Sequence, residues 1–351
     1  MKNFVIKLIP GDGIGVDVVR EAVRVLKALE QKHGGISFDF QNLEWSCQYY
    51  LKTGQMMPAD GMKILADCDA ILLGAVGFPG VPDHVSLRQL LLPIRVGFDQ
   101  YVNLRPVKLL PGLSSPIKNE KIDFVVIREN SEGEYCGKGE VRDENTPDET
   151  VIQNSVFTRK GTERIIRYAF EYAARHGQNK VMSATKSNAL NYSMVFWDKV
   201  FHEIAAQNPG MDAAQMHIDA LSGYFIMHPD RLQVVVASNL FGDILTDLGS
   251  AMLGSIGISP SANLNPEGKY PSMFEPIHGS APDIAGKGIA NPVGTLWAAA
   301  MMLDHLKLTA EADLLMQAIT DVLSAGKVRT PDIGGHSTTS EVTDAVIAAL
   351  R

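Results

Sequence analysis

The sequence predicts an α/β fold with a largely parallel sheet, and three observations support this prediction. Short runs rich in valine and isoleucine alternate with longer segments of helical periodicity. The 351 residues are enough to bury the core of one or two domains. The chain contains no internal repeat, heptad run or low-complexity tract. In chain order, strands are predicted at 4–9, 70–73, 124–128, 181–184 and 234–237, and helices at 17–33, 161–175 and 192–207.

One segment departs from this alternation. Residues 133–152 are polar and rich in glycine, glutamate and aspartate, and a β-like run at 150–157 closes the segment. We expect an extended arm here, either as a surface loop or as part of a subunit interface.

Composition excludes several classes of function. Acidic residues outnumber basic ones by 40 to 32, and the net charge of -8 disfavours nucleic acid as a partner. Three cysteines are too few and too scattered for a disulfide framework or a zinc site. The most apolar stretches, such as 289–303, are too short to span a bilayer. We therefore expect a cytoplasmic protein that binds neither nucleic acid nor membranes.

A glycine-rich turn follows the first predicted strand. Gly11, Gly13 and Gly15 suggest a dinucleotide-binding turn, but the third glycine of that fingerprint would fall at position 16, which is Val16. The pattern therefore favours a structural turn over a Rossmann nucleotide site.

Two aspartates follow the apolar strand at 234–237. Gly242 and Asp243 suit the start of a helix, and Asp247 lies one helical turn further on the same face. Like charges at this spacing repel unless a cation lies between them, and Mg²⁺ or Mn²⁺ prefers carboxylate oxygens. Asp219 is a candidate third ligand. The alternative is a helix-capping aspartate with a solvated neighbour.

Arginines, a tyrosine and a lysine could supply the remaining chemistry. Arg95, Arg105 and Arg128 have the fork geometry that binds carboxylates, although single arginines are more often surface charges. Tyr135 and Lys186 could donate and accept protons, although such residues more often have structural roles.

A long glycine-containing loop spans residues 274–292. Backbone amides in such a loop could wrap a flat ligand, and Asp283 could accept hydrogen bonds from a ribose diol. The alternative is an ordinary long loop, which is uncommon without a function at this length.

Two blocks of sequence together resemble one family. They are Ser-Asn-Leu-Phe-Gly-Asp-Ile-Leu-Thr-Asp at 238–247 and His-Gly-Ser-Ala-Pro-Asp-Ile-Ala-Gly at 278–286. The chain resembles the metal-dependent β-decarboxylating dehydrogenases, which include isopropylmalate, isocitrate, tartrate and D-malate dehydrogenases. This resemblance implies an isopropylmalate dehydrogenase-like two-domain fold that is not a Rossmann fold. It also implies an active site in the interdomain cleft and a homodimer that shares this site.

The resemblance also implies a role for each candidate residue. Arg95, Arg105 and Arg128 look like the arginines that bind substrate carboxylates. Asp243 and Asp247 look like metal ligands. Asp219 from the partner subunit looks like a third ligand that also contacts the substrate. Lys186, also from the partner, resembles the general base at the 2-hydroxyl, and Tyr135 resembles the acid that protonates carbon after decarboxylation.

The domains and cofactors follow from the same resemblance. Residues 1–100 and 255–351 would form a large NAD-binding domain, and residues 101–254 a small domain with the arm. Asp283 and Ile284 stand where the NADP-dependent isocitrate enzymes carry Lys and Tyr, so NAD is expected. The metal would be Mg²⁺ or Mn²⁺, and a requirement for a monovalent cation such as K⁺ is left open. The expected NAD-binding residues are Glu275, His278, Gly279, Ser280, Ala281, Asp283, Ile284, Asn291 and Asn188.

The segments 81–87 and 98–106 look most like those of tartrate and D-malate dehydrogenases. We therefore expect oxidation of D-malate to pyruvate and CO₂, oxidation of tartrate, or both. Arg88 departs from those relatives, which usually carry Trp there. The alternative is 3-isopropylmalate dehydrogenase, because the leucines at 90–92 could line an apolar substrate pocket. A catalytically silent relative that keeps the fold is a second alternative.

Overall fold

The computed structural model describes residues 2–351 and consists of helices packed around a mixed β-sheet. The strands are β1 (Lys2–Gly11), β2 (Ile36–Asn42), β3 (Ala70–Ala75), β4 (Val102–Lys108), β5 (Asp123–Glu129), β6 (Gly139–Arg142), β7 (Thr150–Gln153), β8 (Lys180–Thr185), β9 (Asp212–His217), β10 (Val234–Ala237), β11 (Pro260–Leu264) and β12 (Ser272–Pro276). The helices are α1 (Ile14–His33), α2 (Cys47–Thr53), α3 (Gly61–Ala66), α4 (Asp83–Ser86), α5 (Leu92–Gly97), α6 (Arg159–Arg175), α7 (Ser193–Ala206), α8 (Ile218–Met227), α9 (Asn239–Met252), α10 (Val293–His305), α11 (Thr309–Ala325) and α12 (Thr339–Ala349). All eight elements predicted from the sequence are present, with ends shifted by up to three residues.

Ten strands form one sheet in the order β2-β1-β3-β12-β11-β4-β5-β10-β8-β9. The pairings are parallel except at β12-β11, β11-β4 and β4-β5, which are antiparallel. The α/β prediction is thus confirmed, whereas the antiparallel centre was not predicted. Five strands from residues 2–100 and 255–351 fill one half of the sheet, and five from 101–254 fill the other. The division into two domains stays a prediction.

Polar residues 133–152 project as an arm. Its tip is the antiparallel pair β6-β7, which lies outside the main sheet. Val141 and Val151 face each other in this hairpin and are 51% and 70% exposed. The strand predicted at 150–157 ends earlier, at Gln153.

The glycine turn after β1 has a structural role. Gly13 has a φ of 58°, and a Cβ at this position would overlap the Ser280 carbonyl oxygen. The amide of Ile14 donates to the same oxygen at 2.8 Å. The turn therefore needs glycine because the loop after β12 packs directly against it.

Two local predictions were wrong. Helix α9 begins at Asn239, three residues before Gly242, and Ser238 is its N-cap residue, so Asp243 does not cap the helix. The long loop begins after Pro276, because Phe274 and Glu275 belong to β12. Among residues 2–351, no helix combines the length and apolar character needed to cross a membrane.

Candidate active site

The sheet centre brings the three candidate arginines together. Arg105 and Arg128 lie on neighbouring antiparallel strands, where Arg105 pairs with Val126, two residues before Arg128. Alternate residues of a strand share a face, so both side chains point to the same side of the sheet. Arg95 approaches from α5. Arginine side chains are rarely buried without partners. Here Arg95 is 7% exposed, Arg105 is 6% exposed and Arg128 is 2% exposed.

Two carboxylates neutralise part of this positive charge. Asp243 on α9 accepts from Arg128 at 2.8 Å and from Arg105 at 3.2 Å. Glu275 on β12 accepts from Arg95 at 2.9 Å. Three cations thus face two anions, and the buried Nε atoms of Arg95 and Arg105 have no partner within residues 2–351. Such unsatisfied donors fit an anionic ligand.

The pKa values follow from burial and mutual charge. Burial and then Arg105 lower the pKa of Arg128 to about 10, which still leaves its guanidinium charged at neutral pH. Burial alone would raise the pKa of Asp243, but Arg128 and Arg105 outweigh it and hold that pKa below its ordinary value. Asp243 is therefore a carboxylate under physiological conditions.

Tyr135 completes this cluster from the base of the arm. Its hydroxyl donates to Asp243 at 2.9 Å, and its ring lies 5.7 Å from the Arg128 guanidinium carbon. Burial and then the Asp243 charge raise the pKa of Tyr135 to about 12. The phenol consequently keeps its proton at neutral pH and can act as a donor.

Glu134 is a site residue that the sequence analysis missed. Its carboxylate accepts from the Ser238 hydroxyl at 2.7 Å and from the Leu240 amide at 3.1 Å. It therefore caps α9 from the arm and ties the loop that carries Tyr135 to the helix that carries Asp243. The acidic run around Tyr135 was visible in the sequence, but no local signal linked it to residues a hundred positions away.

Two of the three candidate metal ligands lie together. Asp243 and Asp247 occupy successive turns of α9. Burial and then the Asp243 charge raise the pKa of Asp247, as expected for carboxylates that share a site without a cation. Two hard oxygen donors on one helix face fit Mg²⁺ or Mn²⁺, which readily takes its remaining ligands from substrate and water.

Asp219 does not join them within one chain. It lies in the first turn of α8, where its exposed carboxylate pairs with Lys186 at 2.9 Å. Among residues 2–351, no three His, Cys, Asp or Glu side chains are grouped so that they could hold a metal. Within one chain, Asp219 therefore lies apart from Asp243 and Asp247.

The candidate nucleotide loop follows β12. His278 is buried, its Nδ1 lies 2.9 Å from the Gly279 carbonyl oxygen, and its Nε2 has no partner among the described residues. Burial lowers the pKa of His278, so the ring is neutral. An orphaned nitrogen in a loop whose Gly279 and Asp283 are exposed fits a heteroaromatic ligand such as a nucleotide base.

The other expected NAD ligands are distributed unevenly. Ser280, Ala281 and Ile284 lie in the same loop, which runs on to Asn291. Glu275 lies on β12 and pairs with Arg95, and Asn188 lies in the turn after β8, in the other half of the sheet. Their roles as NAD ligands stay predictions.

The chain matches the family model described as isocitrate/isopropylmalate dehydrogenase over residues 5–346. It is 52% identical to a probable tartrate dehydrogenase/decarboxylase of Bacillus subtilis (strain 168), over 100% of this chain and 99% of that protein. It is 51% identical to D-malate dehydrogenase [decarboxylating] of Escherichia coli (strain K12), over 99% and 98% of the two chains. The crystal structure of isocitrate dehydrogenase from Methylococcus capsulatus superimposes with a TM-score of 0.89 at 34% identity and covers both chains fully. This protein therefore belongs to the isocitrate/isopropylmalate dehydrogenase family.

Proposed function

We propose that this protein is an NAD- and divalent-metal-dependent dehydrogenase that oxidises and decarboxylates D-malate to pyruvate and CO₂ and also oxidises tartrate. The main support is the group of three buried arginines, with unsatisfied donors, beside a carboxylate pair and a protonated tyrosine. The relatives at about half identity carry tartrate and D-malate names, so the isopropylmalate alternative is not favoured.

The arginines would bind and orient the two substrate carboxylates. A cation held by Asp243 and Asp247 would supply Lewis acidity, which lowers the pKa of the 2-hydroxyl and favours loss of CO₂. Lys186 would take the hydroxyl proton, and NAD bound at the loop after β12 would supply the hydride acceptor for C2. Tyr135 would then return a proton to the carbon that has lost its carboxylate, which its raised pKa permits.

A substrate panel tests this proposal directly. Purified protein with NAD and Mn²⁺ is given D-malate, the tartrates, isocitrate or isopropylmalate, and NADH is followed by absorbance. We expect the highest kcat/KM with D-malate or a tartrate, and pyruvate as the product from D-malate. Equal or better turnover of isopropylmalate would overturn the substrate assignment, and no turnover of any acid would favour a silent relative.

We further propose that the active enzyme is a homodimer with shared sites. Helices α8 and α9 pack together and expose Ile226, Met227 and Ile244, and the arm exposes Val141 and Val151. Exposed apolar side chains of this number favour a partner. Helix α8 also carries Asp219, which pairs with Lys186, and these two candidate residues lie apart from the arginine cluster.

Mixed dimers give a quantitative test of the shared site. Lys186→Ala and Asp247→Asn are each expected to be inactive alone. The two variants are then unfolded and refolded together. If each site takes Lys186 from one subunit and Asp247 from the other, half of the refolded dimers are mixed and each mixed dimer has one intact site of two. The mixture should therefore recover about a quarter of wild-type activity. Activity that stays at the level of the separate variants would place both residues in the same subunit's site.

Cofactor choice is attributed to Asp283. A carboxylate there would accept from a ribose 2′-hydroxyl and repel a 2′-phosphate. The double variant Asp283→Lys/Ile284→Tyr is expected to raise the NADP-to-NAD ratio of kcat/KM by about 100-fold. Asp283→Asn, which removes only the charge, should move the ratio less, and an unchanged ratio in both would contradict this role.

We also propose the two-domain division at residues 100 and 254, because the strands of the two parts occupy separate halves of the sheet. The three cysteines are unpaired, which is consistent with a reducing compartment such as the cytoplasm.

A further inference from the structure

A second cavity lies on the opposite face of the strands that carry the arginine site. It measures about 330 Å³ and is walled by β4, β11 and β12 on one side and by α6, α10 and α11 on the other. Side chains alternate along β4, so Leu104 and Pro106 line this cavity while Arg105 between them points to Asp243.

The same alternation holds on the other two strands. On β12, Phe274 lines the cavity and Glu275 points to Arg95. On β11, Ala262 and Leu264 line it, while Asn263 donates to Glu275 at 2.7 Å. The cavity and the candidate active site are thus two faces of one set of strands.

Six aromatic rings line the cavity. They belong to Tyr168, Tyr172, His176, Phe274, Trp297 and His305. Phe274 and His305 have centroids 5.5 Å apart, and Trp297 is only 6% exposed. The small side chains of Ala300 and Ala312 on the facing helices also line the cavity. A cavity of this shape favours a flat aromatic ligand, which can stack against several rings.

Several polar atoms of these rings have no partner in the chain. The Tyr168 hydroxyl interacts with Arg175, but within residues 2–351 the Tyr172 hydroxyl, the His305 ring nitrogens and the Trp297 indole nitrogen make no hydrogen bond with the chain. Burial lowers the pKa of His305 and raises the pKa of Tyr172 to about 12, so both rings are neutral at pH 7. A neutral imidazole and a phenol each offer a donor and an acceptor.

Charges at the rim cancel. Arg175 and Lys307 contribute two positive charges, and Asp304 and Asp313 contribute two negative ones. An ionic ligand would therefore gain little from the site and would lose its hydration on entering an aromatic cavity. The balance favours an uncharged molecule.

We propose that this cavity binds an uncharged, planar heteroaromatic molecule of one or two rings that carries both a hydrogen-bond donor and an acceptor. Because the strands beneath it also position Arg105 and Glu275, its occupant changes the affinity for the hydroxy acid. This second effect rests on the proposed function, whereas binding itself does not.

Benzimidazole is a suitable probe, since it has two fused rings, one donor and one acceptor, and no charge at pH 8. Calorimetric titration of the whole protein is expected to give a Kd below about 1 mM, and Trp297 fluorescence should change in parallel. Benzoate and benzylamine, which are flat but charged, should bind at least tenfold more weakly. Absence of binding at millimolar benzimidazole would overturn the proposal.

Cavity-filling variants test the location. Ala300→Phe and Ala312→Leu on two different helices should each weaken benzimidazole binding at least tenfold, and the second serves if the first does not fold. Ala206→Phe, on the exposed end of α7, is the matched control and should bind normally. Equal affinity in the wild type and both filled variants would place the ligand elsewhere and refute the site.

Kinetics test the coupling separately. Saturating benzimidazole is expected to change the KM for the hydroxy acid at least twofold in the wild type and not in Ala300→Phe. If benzimidazole binds but the KM for the hydroxy acid is unchanged, the coupling is refuted. If benzimidazole binds to a protein that oxidises no hydroxy acid, only the proposed function is refuted.

Discussion

Lys186→Ala is expected to lower kcat for D-malate oxidation by about 10³-fold while leaving the affinity for NAD unchanged. Lys186 begins the turn after β8, where its ammonium pairs with Asp219 and its side chain is 26% exposed. If it removes the 2-hydroxyl proton, alanine leaves no group at that position to accept it, and hydride transfer slows. Steady-state kinetics measure the loss, and titration of NAD against protein fluorescence measures cofactor binding.

Lys186→Arg separates a base from a structural charge. Arginine keeps the positive charge and the ion pair with Asp219 but holds its proton too tightly to exchange it near neutral pH. We expect this variant to retain wild-type stability and dimer content with little of the activity. Lys199→Ala, at an exposed position of α7, controls for loss of a surface lysine and should be fully active. Full activity in Lys186→Ala would remove Lys186 from the base role.

Local patterns predicted the elements that have strong periodicity. The apolar face of α1 and the valine run of β10 are both present within a few residues of their predicted ends. Strand β11 was not predicted, because the pairing that defines it joins Ala262 to Leu104, which are far apart in the chain. Antiparallel pairing of this kind depends on tertiary packing and leaves no sign in local composition.

Residue type and motif spacing singled out charged groups that the fold brings together, but not how they pair. The sequence analysis grouped Glu275 with the expected cofactor residues and did not predict its ion pair with Arg95. Asn263, which donates to Glu275, was not singled out at all. The contact between Asn263 and Glu275 arises because β11 and β12 pair in the folded sheet, and the contact between Arg95 and Glu275 arises because α5 packs next to β12. Both arrangements depend on the fold of the whole chain.

Asp243→Asn and Asp247→Asn are both expected to lower kcat/KM by at least about 100-fold, yet to have opposite effects on stability. Asp243 neutralises the buried Arg105 and Arg128. Removing one side of a buried ion pair costs about 3–5 kcal/mol, and because the Asp243 side chain is 35% exposed we expect about 2 kcal/mol. The pKa of Asp243 lies below its ordinary value in the folded chain, so this loss should persist from neutral pH down to the ordinary pKa of an aspartate, about 4, and shrink under more acidic conditions.

Replacing Asp247 should not destabilise the fold, because burial and the charge of Asp243 disfavour the charged form of Asp247. Its raised pKa means that ionisation destabilises the fold as pH rises, so Asp247→Asn should leave the melting temperature unchanged or slightly higher. If Asp247→Asn loses activity but keeps its stability, the loss can be attributed to weaker metal binding. The variant should therefore need a higher Mn²⁺ concentration than the wild type for half-maximal activity. Wild-type kinetics and metal dependence in Asp247→Asn would exclude it as a ligand, and turnover that survives a chelator would refute the metal requirement itself.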